Sequence, residues 1–220
     1  MKKNISIILL ALCMLSISCC SKNKEAEVSE DQLPLRAVTS ELSIHSSLDQ
    51  VEDFIKLNSS FNSYYDMDEC YNITPDFIAE NSDFEIFKYS KSTASFLLFE
   101  NEIFPLGEFF GGFGITSMAL GDFNEDNLYE LYFTYSWGSG LHRSQVGYFD
   151  PSSKELTLFD YSYLNYDLIL TKNDENSLCV NEATIAGESF VDFQISSNKV
   201  VANIVLNNDE ITLNVIEKEQ

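Results

Sequence analysis

Apolar residues form one early run, then thin out, then return at helical and finally at strand spacing. The early run covers residues 5–17, behind Lys2 and Lys3. It is shorter than the roughly 20 residues that cross a bilayer. A basic start before a short apolar core is the pattern of an export signal. Residues 20–40 are rich in Lys, Glu and Ser and poor in apolar side chains, so they read as a flexible tether. Leu48, Val51, Phe54, Ile55 and Phe61 then fall on one helical face. Ser47, followed three positions later by Gln50, has the spacing of a capping box. Thr74-Pro75-Asp76 marks a second, short helix, with a cap and then proline at the first helical position. Asn81-Ser82-Asp83 ends it.

From Phe84 onward the spacing is that of strands. Phe84, Ile86 and Lys88 alternate with Glu85, Phe87 and Tyr89. Strand-like runs follow at 94–99, 103–106, 115–120, 130–135, 145–149, 155–159, 166–171, 177–180, 190–196, 199–206 and 210–216. Pro105 places the second of these at an edge or a strand end. The glycines of 107–114 predict a sharp bend or a close approach to another segment. Residues 150–154 join one hairpin, and Ser197-Asn198 and Asn207-Asn208-Asp209 are turn material. The expectation is a single mainly β (α+β) domain over residues 41–220. It would be an antiparallel β-meander with one or two short N-terminal helices packed on it.

The stretch Leu15-Ser16-Ile17-Ser18-Cys19-Cys20 resembles the lipobox of bacterial lipoproteins. That resemblance implies a signal peptide over residues 1–19 and acylation of Cys19, with Cys20 as the alternative. It also implies export and attachment to the cell envelope through an N-terminal lipid. An ordinary secretory signal with two incidental cysteines is the plainer reading. Cys70 and Cys179 remain for the domain. In an exported chain they form either one disulfide, closing a long loop, or two buried thiols.

The net charge of −22 argues against nucleic acid, which needs a basic face. It leaves cations, basic proteins and glycans as partner classes, beside the plain alternative of a solvated acidic surface. Two histidines and no clustered thiols argue against zinc.

The densest candidate chemistry is Leu120-Gly-Asp-Phe-Asn-Glu-Asp-Asn-Leu-Tyr-Glu130. Asp122, Asn124 and Asp126 place side-chain oxygens at alternate positions, Leu128 adds a carbonyl, and Glu130 closes the set. Calcium takes six to eight such oxygens. Asn127 occupies a place that favours a left-handed backbone, which Asn tolerates. The EF-hand pattern fits poorly, because Phe133 stands where its bidentate glutamate would be. Phe113-Gly114, Asp122-Phe123-Asn124-Glu125-Asp126 and Glu130-Leu131 instead resemble one FG-GAP repeat of integrin-type propellers. That resemblance implies calcium held between two strands. It occurs once, and a propeller needs at least four blades, so only the loop is carried over. The competing reading is an acidic turn held by its own Asx hydrogen bonds.

Ser136-Trp-Gly-Ser-Gly-Leu-His-Arg-Ser144 follows. Together with the loop it resembles a family of bacterial exported proteins with a Ser-Gly-x-His-Arg-Ser turn, a resemblance that brings no activity. Trp137, His142 and Arg143 are the candidate ligand contacts. The structural alternative pairs Arg143 with a loop acid and buries Trp137. Ser139 and Ser144 lie near His142, but Gly-Ser-Gly lacks the strand–turn–helix setting of a nucleophile elbow. The functional expectation is a non-enzymatic binding or structural lipoprotein. The alternatives are an inhibitor or docking partner of a basic protein, and an envelope hydrolase using two carboxylates near His142.

Overall fold

The computed structural model describes residues 35–40, 42–43, 49–63, 65–109, 111–187, 193–208 and 210–216. The stretch read as a signal peptide, with Cys19 and Cys20, and the expected cap at Ser47 lie outside them. In chain order the elements are β1 (Leu35–Thr39), α1 (Asp49–Asn58), β2 (Cys70–Asn72), α2 (Asp76–Asn81), β3 (Glu85–Tyr89), β4 (Ser95–Phe99) and β5 (Glu102–Gly107). There follow β6 (Gly114–Gly121), β7 (Glu130–Trp137), β8 (Arg143–Asp150), β9 (Glu155–Leu164), β10 (Asp167–Lys172), β11 (Leu178–Gly187), β12 (Phe193–Asn207) and β13 (Glu210–Val215).

The mainly β expectation holds, with every strand pair antiparallel and two short helices among the described residues. The meander is divided over three sheets, ordered β1-β6-β7-β8-β9, β2-β3-β4-β5 and β10-β11-β12-β13. The first lies between the other two. Its Ile115, Met118, Leu120, Leu131, Phe133 and Phe149 pack with Ile86, Leu97 and Leu106 of the β2–β5 sheet. Its Ala119, Tyr132, Val146 and Tyr163 pack with Leu168, Val180, Ala202 and Ile204 of the β10–β13 sheet. β6 is therefore buried at all eight positions, and β7 at all but its last. A strand covered on both faces loses the alternation of a half-exposed one. Each fully buried Leu, Ile or Phe in these layers contributes about 1.5–3 kcal/mol.

Both helices pack on the β2–β5 sheet. Ile55 of α1 joins Phe87, Tyr89 and Phe96 on one face, and Ile78 of α2 joins Ile86 and Leu97 on the other. α2 is capped at Pro75 rather than at Thr74. The Thr74 hydroxyl is engaged elsewhere, donating to Asn72 and accepting the Ile86 N–H.

Two expectations about the strands are corrected. The expected tether does not extend to residue 40, because Leu35–Thr39 pairs with β6 as an edge strand and buries Leu35. Leu35, Ala37 and Val38 supply an apolar set that the surrounding polar composition masks. Ser197-Asn198 is not a turn but lies within β12, where the register against β11 slips by one residue. An extra residue in one strand is absorbed by a bulge. Cys70 and Cys179 are buried free thiols, one in β2 and one in β11, on separate sheets, which is the second of the two readings given for them.

A second bulge matters for the layering. The β6–β7 register skips Thr116, passing from Ile115↔Tyr135 to Ser117↔Thr134. Thr116 and Ser117 then both reach β10, although consecutive strand residues normally point to opposite faces. The Thr116 hydroxyl donates to the Leu168 carbonyl at 2.8 Å, and Ser117 Oγ accepts the Leu170 N–H at 2.6 Å. β10 is an edge strand, and these hydroxyls satisfy its outward backbone groups.

Candidate metal centre

Gly121 and Glu130 face each other where β6 and β7 begin to pair, so residues 122–129 close the hairpin. Glu125 and Asn127 adopt φ of 60° and 70°, as the left-handed expectation for Asn127 requires. The side-chain oxygens first organise the loop itself. Asp122 accepts the N–H groups of Asp126 and Asn127, both at 3.0 Å. Asn124 Oδ1 accepts the Asp126 N–H, and its amide donates to Asp126 Oδ2 at 3.3 Å. Asp126 Oδ1 accepts the Leu128 N–H at 2.8 Å. These are the Asx bonds of the acidic-turn reading, and they also hold the carboxylates in place.

Asp122, Asp126 and Glu130 each bring an oxygen within 4.8 Å of the others, the one such group of three among the described residues. Asn124 joins them through Asp126, and the Leu128 side chain is exposed. Glu130 differs from the rest. It is 0% exposed, and its Oε2 accepts the Phe123 N–H at 2.8 Å and the Tyr132 hydroxyl at 3.0 Å. Its Oε1 is buried without a hydrogen-bond partner. Burial pushes the carboxyl up to about 7. The Phe123 N–H and the Tyr132 hydroxyl oppose that shift, and the charges of Asp122 and Asp150 add to it. A buried carboxylate oxygen left unpaired is costly, by about 1–3 kcal/mol or more. A hard cation beside Asp122 and Asp126 would complete it, so the donor set fits calcium.

The turn after β7 does not gather its three candidates into one patch. Trp137 and Arg143 are register partners across β7 and β8. Trp137 is half-buried and stacks on Phe109 at 4.9 Å, while Arg143 is exposed. His142 turns instead to Asp167, with Nδ1 3.2 Å from Oδ1. The Ser136 hydroxyl donates to the same Asp167 oxygen, and Phe113 meets the imidazole edge-on at 5.4 Å. Asp167 was not legible as a partner, since it lies 25 residues beyond His142.

Among the described residues no serine–histidine pair forms: Ser144 Oγ is buried without a partner, and Ser139 is exposed. A cleft of about 290 Å³ opens beside His142, and Asp167 is the one carboxylate lining it. The two-carboxylate requirement of a glycoside hydrolase is not met there.

Comparisons with protein-family models, curated proteins and solved structures find no match for this chain.

Proposed function

We propose that this chain is an exported, lipid-anchored binding or structural protein of the bacterial envelope, with a calcium ion held in the β6–β7 hairpin. The observation that carries the calcium reading is Glu130 Oε1, buried, unpaired and grouped with Asp122 and Asp126. Asp122, Asn124, Asp126 and Glu130 would hold the ion with side-chain oxygens and Leu128 with its carbonyl. The ion supplies charge neutralisation, which relieves repulsion among three carboxylates and stiffens the hairpin. Export and lipidation rest on the basic start, the short apolar run and the lipobox-like cysteines. The net charge of −22 keeps nucleic acid out of the partner set.

The test is thermal unfolding with calcium against a chelator. A ligand at 100 times its Kd stabilises by about 2.7 kcal/mol. In a chain of this size that raises Tm by about 5–11 °C. Glu130→Gln and Asp126→Ala should each remove the rise. An unchanged Tm over millimolar calcium sinks the proposal, as does a rise that survives both substitutions. Mass spectrometry of the mature N-terminus should find an acylated Cys19 or Cys20, and an unmodified end would refute the anchor.

A further inference from the structure

The cleft of about 290 Å³ beside His142 shares no residue with the acidic hairpin. It lies where the turn between β7 and β8 meets the corner between β9 and β10. Hydrogen bonds fix that meeting. The Asn165 N–H donates to the His142 carbonyl at 3.0 Å. His142 Nδ1 lies 3.2 and 3.3 Å from the two oxygens of the buried Asp167, and the Ser136 hydroxyl donates to Asp167 from β7. Phe113 meets the imidazole edge-on, and Phe193 backs Phe113 at 5.8 Å. The ring is therefore oriented before any ligand arrives.

That anchoring decides which ring atom is on offer. A carboxylate only accepts, so in the neutral imidazole the proton sits on Nδ1 and Nε2 keeps its lone pair. The side-chain bonds of His142 among the described residues both run through Nδ1. About a third of the side chain stays exposed, at 31%. With Nδ1 held against Asp167, the edge left to the cleft carries Nε2, an acceptor with a fixed direction.

The rest of the lining is aromatic and polar. Tyr166 is 42% exposed, with Tyr163 behind it at 6.3 Å between ring centres. Asn165 is exposed at φ 74°, and its side-chain amide offers two donors and an acceptor. Asp167 is the one carboxylate of the lining, and its oxygens are already engaged by Ser136 and His142. In a chain of net charge −22, this cleft presents neutral groups.

We propose that this cleft binds a neutral sugar ring, a hexopyranose or its N-acetylamino form. The face of a pyranose that carries axial C–H groups is apolar and slightly positive, and it packs on the negative face of the Tyr166 ring. A sugar hydroxyl donates to His142 Nε2, and Asn165 bonds a neighbouring hydroxyl as donor or acceptor. An anion would meet the Asp167 carboxylate, and a cation would find that carboxylate already bonded. At about 290 Å³ the cleft is at the small end of ligand sites. It therefore takes one ring, with further units left in solvent. The reading does not depend on an ion in the β6–β7 hairpin.

The test is saturation-transfer NMR on the full chain in a detergent without a sugar headgroup. The probes are cellobiose and chitobiose, with glycerol as the small-polyol control. Saturable transfer to either disaccharide and none to glycerol, undiminished by a chelator, is the expected result. Transfer to chitobiose alone assigns the N-acetylamino form, and transfer to cellobiose, alone or with chitobiose, assigns the ring hydroxyls. Tyr166→Ala should weaken binding about tenfold, the loss of one aromatic contact. Asn165→Gly should weaken it too, at a backbone angle that glycine adopts freely. His142→Asn keeps an amide that can donate to Asp167 and removes Nε2, so it should lose binding at a Tm close to the parent's. The proposal is overturned if neither disaccharide saturates, if glycerol shows equal transfer, or if a folded Tyr166→Ala or His142→Asn protein binds as the parent does.

Discussion

Replacing Ser117 by alanine probes how the β10–β13 sheet is fastened to the central one. Ser117 is 0% exposed and Leu170 1% exposed, so water does not reach the bond between them. Ser117 Oγ is the acceptor for the Leu170 N–H at 2.6 Å, on the side of β10 that has no neighbouring strand. In the alanine variant that N–H stays buried with no acceptor, which costs about 1–3 kcal/mol. Thr134 loses Ser117 too, but it keeps Thr116 at 2.8 Å, so that loss is largely absorbed. The expected destabilisation is about 2 kcal/mol, or a Tm lower by about 4–8 °C. Urea unfolding followed by circular dichroism reads it as a lower midpoint at unchanged m-value. Thr116→Val should cost less, because a carbonyl with a second lone pair tolerates the loss of one donor better than an N–H tolerates the loss of its acceptor. The two substitutions share Thr134, so the double variant should depart from additivity. A Ser117→Ala protein within about 0.5 kcal/mol of the parent would refute the idea that these hydroxyls stand in for a missing strand.

Two further outcomes follow from buried titratable groups. Burial, with the charges of Glu52 and Asp68, pushes the Cys70 thiol up to about 12, and burial also raises Cys179. Peptide-resolved alkylation at pH 8 should therefore leave both unmodified in the folded chain and modify both in urea; a Cys70–Cys179 disulfide, or rapid labelling of either without denaturant, would contradict this. Lys88 is 0% exposed in β3, with Nζ donating to the Ile115 carbonyl at 3.2 Å and lying 5.6 Å from the Phe193 ring centre. Burial pushes its ammonium down to about 7 from 10.5. Between those values the unfolded chain holds a proton that the native chain has released, so stability rises with pH through this window; below it both states are charged and the full burial penalty remains. Between pH 7 and about 8.5, before unfolded thiols and phenols titrate, the parent should gain about 1 kcal/mol per pH unit relative to Lys88→Met in urea titrations. Equal slopes for the two proteins would refute it.

How far the sequence could be read depended on how local each feature is. The hairpin loop was legible because Asp122 to Glu130 are nine neighbours whose spacing is itself the signal. The left-handed Asn127 follows from the same spacing. Features built across the layers were not. His142 and Asp167 are 25 residues apart, and Thr116 meets Leu168 across 52. Nothing in an alternating pattern names such partners. Thr116 and Ser117 read as ordinary strand hydroxyls, and only the bulge turns both toward β10. Glu130 stood out as a ligand type, but neither its burial nor its bonds from the Phe123 N–H and the Tyr132 hydroxyl could be read from spacing. The strand in Leu35–Thr39 was hidden by polar neighbours, since five residues against one partner strand are too few to lift a composition average.

That first strand also decides where mechanical load enters the molecule. Leu35 lies opposite Gly121, and Thr39 opposite Met118, so the chain joins the central sheet one residue from Asp122. A pull on the preceding segment runs along β1 and is resisted by the rungs of the β1–β6 ladder acting together, in shear rather than one at a time. The rung nearest the source of tension borders the acidic hairpin. Under the proposed lipid anchor, whatever rigidifies that hairpin would also stiffen the rung that first takes the load.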